Sequence, residues 1–146
     1  MVTKTFEHLI RFYQVLTTSG ATVWLPLITV NLIQPNGNRV ALPLLFDTGA
    51  STTTLRHDLY PLLGLSSWDA GQPLDVSTAG GANPVTAYRY EATLELLGKA
   101  IQCPVHLQIL PQNPLYMGLF GREQIFEEFG FAFWERTREL HITLTP

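Results

Sequence analysis

An alternation of apolar and polar residues with a period of two runs through most of the chain and limits the possible fold more than any other feature. Between residues 27 and 33 the side chains of Ile28, Val30 and Leu32 share one face, and the run from 40 to 46 repeats the pattern. Because successive side chains of a β-strand point to opposite faces, this period indicates strands with one buried face. The Asn36-Gly37 pair between the two runs predicts a hairpin.

The same period predicts further strands later in the chain. Residues 74–98 indicate a long hairpin with a glycine-rich tip at 79–84. A strand at 101–109 follows, in which we expect the polar side chains to face solvent and the apolar ones to face the core. The expected outward residues are Gln102, His106 and Gln108, and the inward ones are Ile101, Cys103, Val105, Leu107 and Ile109.

Helical patterns are scarce. Only residues 121–129, "GREQIFEEF", predict a regular helix, because Ile125, Phe126 and Phe129 lie together with acidic residues opposite them. The first 20 residues fit a helix or a strand, and we favour an extended conformation. Residues 131–144 end the chain as a hairpin with a charged turn or as an extended tail. The expected fold class is all-β with one short C-terminal helix.

Composition narrows the function classes. With 146 residues, 46% hydrophobic and 14% charged, we expect one domain over residues 1–146, its core beginning at about residue 22 and an N-terminal extension or strand at 1–20. So little charge suggests that apolar surface is buried against a partner, such as a second copy.

A net charge of −3 gives no reason to expect nucleic acid or anionic membrane as partners. No apolar run approaches the ~18 residues of a membrane span. The first residues make a poor signal peptide, and a single cysteine favours a reducing, cytoplasmic location.

The run "LPLLFDTGAS" raises the main chemical question. It carries an apolar strand directly into Asp47, although an inward carboxylate costs several kcal/mol unless it is hydrogen-bonded, paired or protonated. An aspartic protease explains this placement, since Asp47 can polarise a water for attack on a peptide carbonyl. Thr48 can fix the loop through its hydroxyl, and Gly49 lets the backbone approach substrate. Taken alone, Asp-Thr-Gly is more often an ordinary turn.

That chemistry needs two carboxylates that share a proton, because like charges roughly 3 Å apart cannot both ionise. The other three aspartates, Asp58, Asp69 and Asp75, neither follow an apolar strand nor precede Thr-Gly or Ser-Gly. The chain is also too short for two such lobes. The simplest partner is therefore Asp47 of a second chain, which predicts a homodimer with the site on its two-fold axis.

The remaining reactive side chains suggest no cofactor or metal. The four histidines, His8, His57, His106 and His141, lack metal-ligand spacing. Cys103 alternates with apolar neighbours and indicates buried core rather than a nucleophile. A bound water is then the expected nucleophile.

Two motifs together carry a family resemblance. The chain resembles the retropepsin-like (retroviral-type) aspartic proteases in two motifs, "LLFDTGAS" and the later "GLFGRE", with the glycine-rich hairpin between them. Within that family it resembles the cellular and bacterial single-lobe members most. The resemblance covers roughly residues 22–130. It implies a closed, barrel-like acid protease lobe that dimerises, and a flap that closes on an extended polypeptide substrate.

Residue roles follow from the same resemblance. It implies that Asp47, Thr48 and Gly49 are catalytic and that Gly121 and Arg122 support the site. Substrate would contact Ala50 and the flap tip, which comprises Ala79, Gly80, Gly81 and Ala82.

The chain departs from the family pattern at several positions. Ser51 stands where viral enzymes often carry an acid that pairs with the helix arginine, so the role of Arg122 in bracing the dimer is open. Glu123 replaces the usual Asp or Asn. Ala50 cannot donate a hydrogen bond toward the dyad, so we expect an acid optimum less extreme than that of pepsin-like enzymes.

The expected activity is therefore aspartic endopeptidase, with a preference for apolar residues beside the scissile bond. Two alternatives stay open. One is a non-catalytic dimeric module of the same fold that binds peptides or proteins. The other is a dedicated processing protease that cleaves a single partner.

Overall fold

The chain folds mainly into β-strands. The computed structural model describes residues 5–77, 81 and 83–145. The strands in chain order are β1 (His8–Arg11), β2 (Tyr13–Leu16), β3 (Thr22–Leu25), β4 (Leu27–Ile33), β5 (Arg39–Phe46), β6 (Thr53–Arg56), β7 (Gln72–Val76), β8 (Val85–Leu96), β9 (Lys99–Gln108), β10 (Gly118–Phe120), β11 (Phe129–Trp134) and β12 (Glu139–Leu144). One 3-10 helix, His57–Leu63, follows β6.

Seven strands form the main sheet, in the order β4-β5-β10-β6-β9-β8-β7. Strand β4 also pairs with β8, so the hydrogen bonding of six of these strands returns on itself in a ring, and β7 extends outward from β8. The all-β class is confirmed. A second sheet of order β1-β12-β11 joins the two ends of the chain, and β2 pairs with β3. The extended conformation favoured for the first 20 residues is therefore confirmed over residues 8–16.

The alternating residues fill the core. Ile28, Val30 and Leu32 of β4 and Leu42 and Leu44 of β5 are fully enclosed, as their spacing predicts. They belong to one apolar cluster with the inward residues of β8, β9 and β12. Among the described residues, no helix has the length and apolar character needed to cross a bilayer.

The predicted C-terminal helix is wrong. Residues 123–128 form consecutive turns that lead directly into β11. Gln124 adopts a φ of +64°, outside the right-handed helical region, so a continuous helix cannot pass through it. Ile125 and Phe129 are nevertheless buried, so the apolar spacing marked an inward face that a series of turns also provides.

Two predictions for the end of β9 are also wrong. Ile109 lies beyond the strand and is 61% exposed. His106 and Gln108, expected to face solvent, are 7% and 6% exposed. Both faces of β9 are therefore covered near its C-terminal end.

Candidate active site

The loop from Asp47 to Thr52 connects two strands that are not neighbours. β5 leads into the loop and β6 leads out of it, and β10 lies between them, parallel to β5 and antiparallel to β6. The loop must therefore arch over the end of β10. This crossing brings the segment after β10 directly beneath the Asp-Thr-Gly sequence.

Backbone hydrogen bonds fix the loop to that segment. The Asp47 N–H donates to the Phe120 carbonyl at 3.1 Å, the Arg122 N–H to the Ala50 carbonyl at 3.1 Å, and the Glu123 N–H to the Ser51 carbonyl at 2.8 Å. The two motifs that carried the sequence resemblance thus form one hydrogen-bonded unit.

Gly121 lies at the closest approach within this unit. Its N–H donates to the hydroxyl of buried Thr53 at 3.0 Å. A Cβ on Gly121 would lie 2.3 Å from the carbonyl carbon of Thr52. Real Cβ atoms essentially never come this close to another heavy atom. No residue larger than glycine fits without moving the loop.

Asp47 is only half-buried, and one carboxylate oxygen is already held. The Gly49 N–H donates to Asp47 Oδ1 at 2.9 Å, and the Ala50 N–H donates to the Asp47 carbonyl at 3.2 Å, which closes a turn. The preceding Phe46 is buried and packs on Phe120, with ring centroids 5.3 Å apart. The turn therefore holds the carboxylate on an aromatic base, with Thr48 and Gly49 exposed at its tip.

The other aspartates lie in different settings. Asp58, in the first turn of the 3-10 helix, pairs with Arg56 at 2.6 Å. Asp69 accepts a hydrogen bond from Ser67 in the connector before β7. Asp75 is exposed on β7, although it borders the same cavity as Asp47.

An ion pair that the sequence reasoning missed connects the loop to β8. Arg89 donates from both terminal nitrogens to Glu123, at 2.8 and 3.2 Å, and the Thr52 hydroxyl donates to the same carboxylate at 2.7 Å. Hydrogen bonds from Arg89 and, next, from Thr52 hold the pKa of Glu123 below its ordinary value. Arg122, by contrast, is exposed, and its side chain makes no ion pair with any described residue. The only signal in the sequence was the unusual Glu123 itself.

A cavity of about 500 Å³ opens beside Asp47. Thr52, Thr54, His106 and Gln108 contribute to its lining, together with Leu119 of β10. Sequence reasoning did not identify His106 or Gln108. Polar residues that alternate with apolar ones along a strand look solvent-facing in the sequence, even where a second layer covers them in the fold.

The arms of the expected flap pair with each other. β7 and β8 are antiparallel, with Val76 opposite Val85 nearest the tip. Gly81 is exposed, and Ala79, Gly80 and Ala82 lie outside the described residues. Over the described parts of the chain, no group of three or more histidine, cysteine or acidic side chains is placed to bind a metal ion.

A family model described as "Aspartyl protease" matches residues 28–123, about two thirds of the chain. This chain belongs to the aspartyl protease family. The matched region begins on β4 and ends at Glu123, so it contains both the Asp47 loop and the segment hydrogen-bonded beneath it. Among solved structures, the protease of EIAV in complex with the inhibitor HBY-793 is similar at 23% identity, over 67% of this chain and 82% of that one, with a TM-score of 0.46. No curated protein matches the sequence closely enough to count as a relative.

Proposed function

We propose that this aspartyl protease is an endopeptidase whose two catalytic carboxylates are Asp47 from each of two copies of the chain. The observation that carries the proposal is the Asp47–Gly49 turn, which is fixed from below by the segment after β10 and directs Thr48 and Gly49 outward. Each chain supplies one such turn. A two-fold axis through the exposed tip would bring two of them together.

The pair would hydrolyse a peptide bond by general acid–base catalysis. One carboxylate takes a proton from a bound water as the water attacks the carbonyl carbon, while the protonated partner gives its proton to the carbonyl oxygen. The resulting tetrahedral intermediate then breaks its C–N bond: the first carboxyl group gives its proton to the leaving amine, and the second takes one back from a hydroxyl as the new carboxyl group forms. Because the two groups interact strongly, the dyad titrates as a unit with two apparent pKa values. No metal or organic cofactor takes part in the proposed reaction.

Exposed groups around the turn suit a contact between copies. The Thr48 hydroxyl bonds no described side chain or backbone group of its own chain, so it is available to a partner loop. Arg122 is exposed on the adjoining segment and would support the same region. Apolar side chains on the second sheet are also exposed, Phe133 by 39% and Trp134 by 45%.

Substrate would bind as an extended strand between the dyad and the β7–β8 hairpin. Its backbone would pair with the flap in the manner of strand addition, and Gly49 and Ala50 would contact it from the other side. Ala79, Gly80, Gly81 and Ala82 would form the tip that closes over it and excludes water.

The direct test is cleavage of an unfolded protein between about pH 4 and 6, compared for the wild type, Asp47→Asn and the matched control Asp69→Asn. We expect Asp47→Asn to lose about a thousandfold or more of the activity and Asp69→Asn to retain it. A statine-type inhibitor should block the wild type. Binding of peptides without cleavage by the wild type would support the non-catalytic module instead.

A further inference from the structure

Buried polar side chains are concentrated around one cavity. In the described parts of the chain the buried polar or charged residues are Thr52, Thr53, Thr54, His106 and Gln108. All except Thr53 line the cavity beside Asp47, and Thr53 is engaged by the Gly121 N–H. Since a buried polar group costs free energy unless it is hydrogen-bonded, this concentration needs an explanation.

Internal hydrogen bonds account for only part of the set. The Thr52 hydroxyl donates to Glu123 at 2.7 Å, and the Thr54 hydroxyl makes a long contact of 3.4 Å to the Thr52 carbonyl. His106 Nε2 is enclosed without a hydrogen-bond partner among the described residues. The Gln108 side-chain amide bonds none of them either, which leaves two donors and an acceptor unused.

The charge around the cavity limits what it can bind. Among the described residues that line it, Asp47 and Asp75 carry carboxylates, which would repel an acidic group. Burial and, next, the neighbouring Arg89 lower the pKa of His106, which favours the neutral imidazole. Among the described lining residues, the buried polar ones carry imidazole, amide and hydroxyl groups and no carboxylate, so they form a neutral polar surface that offers a lysine or arginine no ion pair.

We propose that this cavity is a subsite selective for a neutral, hydrogen-bonding side chain of the substrate, glutamine or asparagine, with Gln108 and His106 as the residues that determine the specificity. The inference rests on the proposed peptidase function, since the cavity includes Asp47 and would receive one side chain of an extended peptide bound there. At that one position it replaces the apolar preference expected from the sequence. A carboxamide provides both donors and an acceptor, which match the unused donors and acceptor of the Gln108 side-chain amide. His106, two residues earlier on β9, completes the neutral wall beside it. An aliphatic side chain would leave those groups buried and unpaired.

Binding, rather than turnover, gives the cleanest test. A set of statine-type peptides carries Gln, Leu, Glu or Lys at each position in turn, and their affinities are measured by calorimetry. The proteins are the wild type, Gln108→Leu, His106→Leu and the control Gln102→Leu, whose exposed side chain lies on β9 outside this cavity. Thermal unfolding shows whether each variant is folded, and the two cavity variants are independent of each other.

At one peptide position we expect Gln to bind the wild type and Gln102→Leu about tenfold or more tightly than Leu, Glu or Lys. Gln108→Leu or His106→Leu should abolish or reverse that preference. A preference for Leu, Glu or Lys at every position of the wild type, or an unchanged Gln preference in both folded cavity variants, would overturn the subsite alone. Failure of every peptide to bind would overturn the proposed function as well.

Discussion

At the scale of single residues, Gly121 is the position where the catalytic loop tolerates least change. We expect Gly121→Ala to lower the free energy of unfolding by about 3 kcal/mol or more, because its Cβ would contact backbone atoms of Thr52 that cannot move without breaking loop hydrogen bonds. The matched control is Gly98→Ala in an open turn, where a φ of +79° alone should cost about 1 kcal/mol. Urea unfolding of both variants checks this. Equal losses would contradict the close approach.

Cys103 supplies a second prediction at this scale. Burial first, and nearby Glu91 and Glu123 next, raise the pKa of the Cys103 thiol to about 12. Because the thiolate is the reactive form, the folded protein at pH 8 should not react with a thiol reagent such as DTNB, whereas the denatured protein should react with one equivalent. Rapid stoichiometric labelling of the native protein would show that the cysteine is accessible.

Residue-level features differ in how far the sequence reveals them. Asp47, Gly49 and Gly121 were foreseeable because each belongs to a short contiguous motif whose chemistry is local. Arg89 and His106 were not, since they are opposite each other on neighbouring strands and acquire their roles only when the loop folds across them. Nothing in their own sequence surroundings distinguishes them from solvent-facing strand residues.

At the scale of secondary-structure elements, the Glu123–Arg89 pair connects β8 to the segment beneath the catalytic loop. The lowered pKa of Glu123 means that its ionised form is favoured by folding. Its contribution to stability is therefore complete at neutral pH, and it is lost as the pH falls below the ordinary value of 4.5 and through the lower folded value.

We expect Glu123→Gln to be less stable than the wild type at neutral pH and to lose less stability than the wild type between about pH 6 and 3. Urea unfolding at several pH values measures this difference. Glu127→Gln, an exposed residue of the same turn segment, is the control and should follow the wild-type pH dependence. If Glu123→Gln also followed it, the ion pair would not contribute in this way.

Strands whose sequence alternates with a period of two were predictable, but which strands they pair with was not. The alternation in β4, β5 and β8 is local and is confirmed by burial. The position of the short β10 between β5 and β6 depends on strand pairings distant in sequence, which a periodic pattern does not encode. The predicted helix at 121–129 failed because backbone N–H groups of Arg122 and Glu123 bond the loop carbonyls, and Gln124 then turns with positive φ.

At the scale of the whole molecule, the proposal requires two chains for one active site. The specific activity should therefore fall as the enzyme is diluted below its dimer dissociation constant, because inactive monomers accumulate. Turnover measured across a dilution series, with sedimentation at the same concentrations, tests this. A constant specific activity in samples shown to be monomeric would contradict it. If the monomer were active in this way and Asp75→Asn were as inactive as Asp47→Asn, an intrachain pair of Asp47 with Asp75 would replace the dyad shared between chains.

Mixing wild-type chains with Asp47→Asn chains tests the shared dyad most directly. The two proteins are unfolded together in equal amounts and refolded, so that dimers form at random, and a mixture of wild type with Asp69→Asn serves as the control. We predict about one quarter of the activity of wild type at the same total chain concentration, because only dimers with two Asp47 carboxylates are active. About one half would mean that each chain acts alone, and would contradict the account.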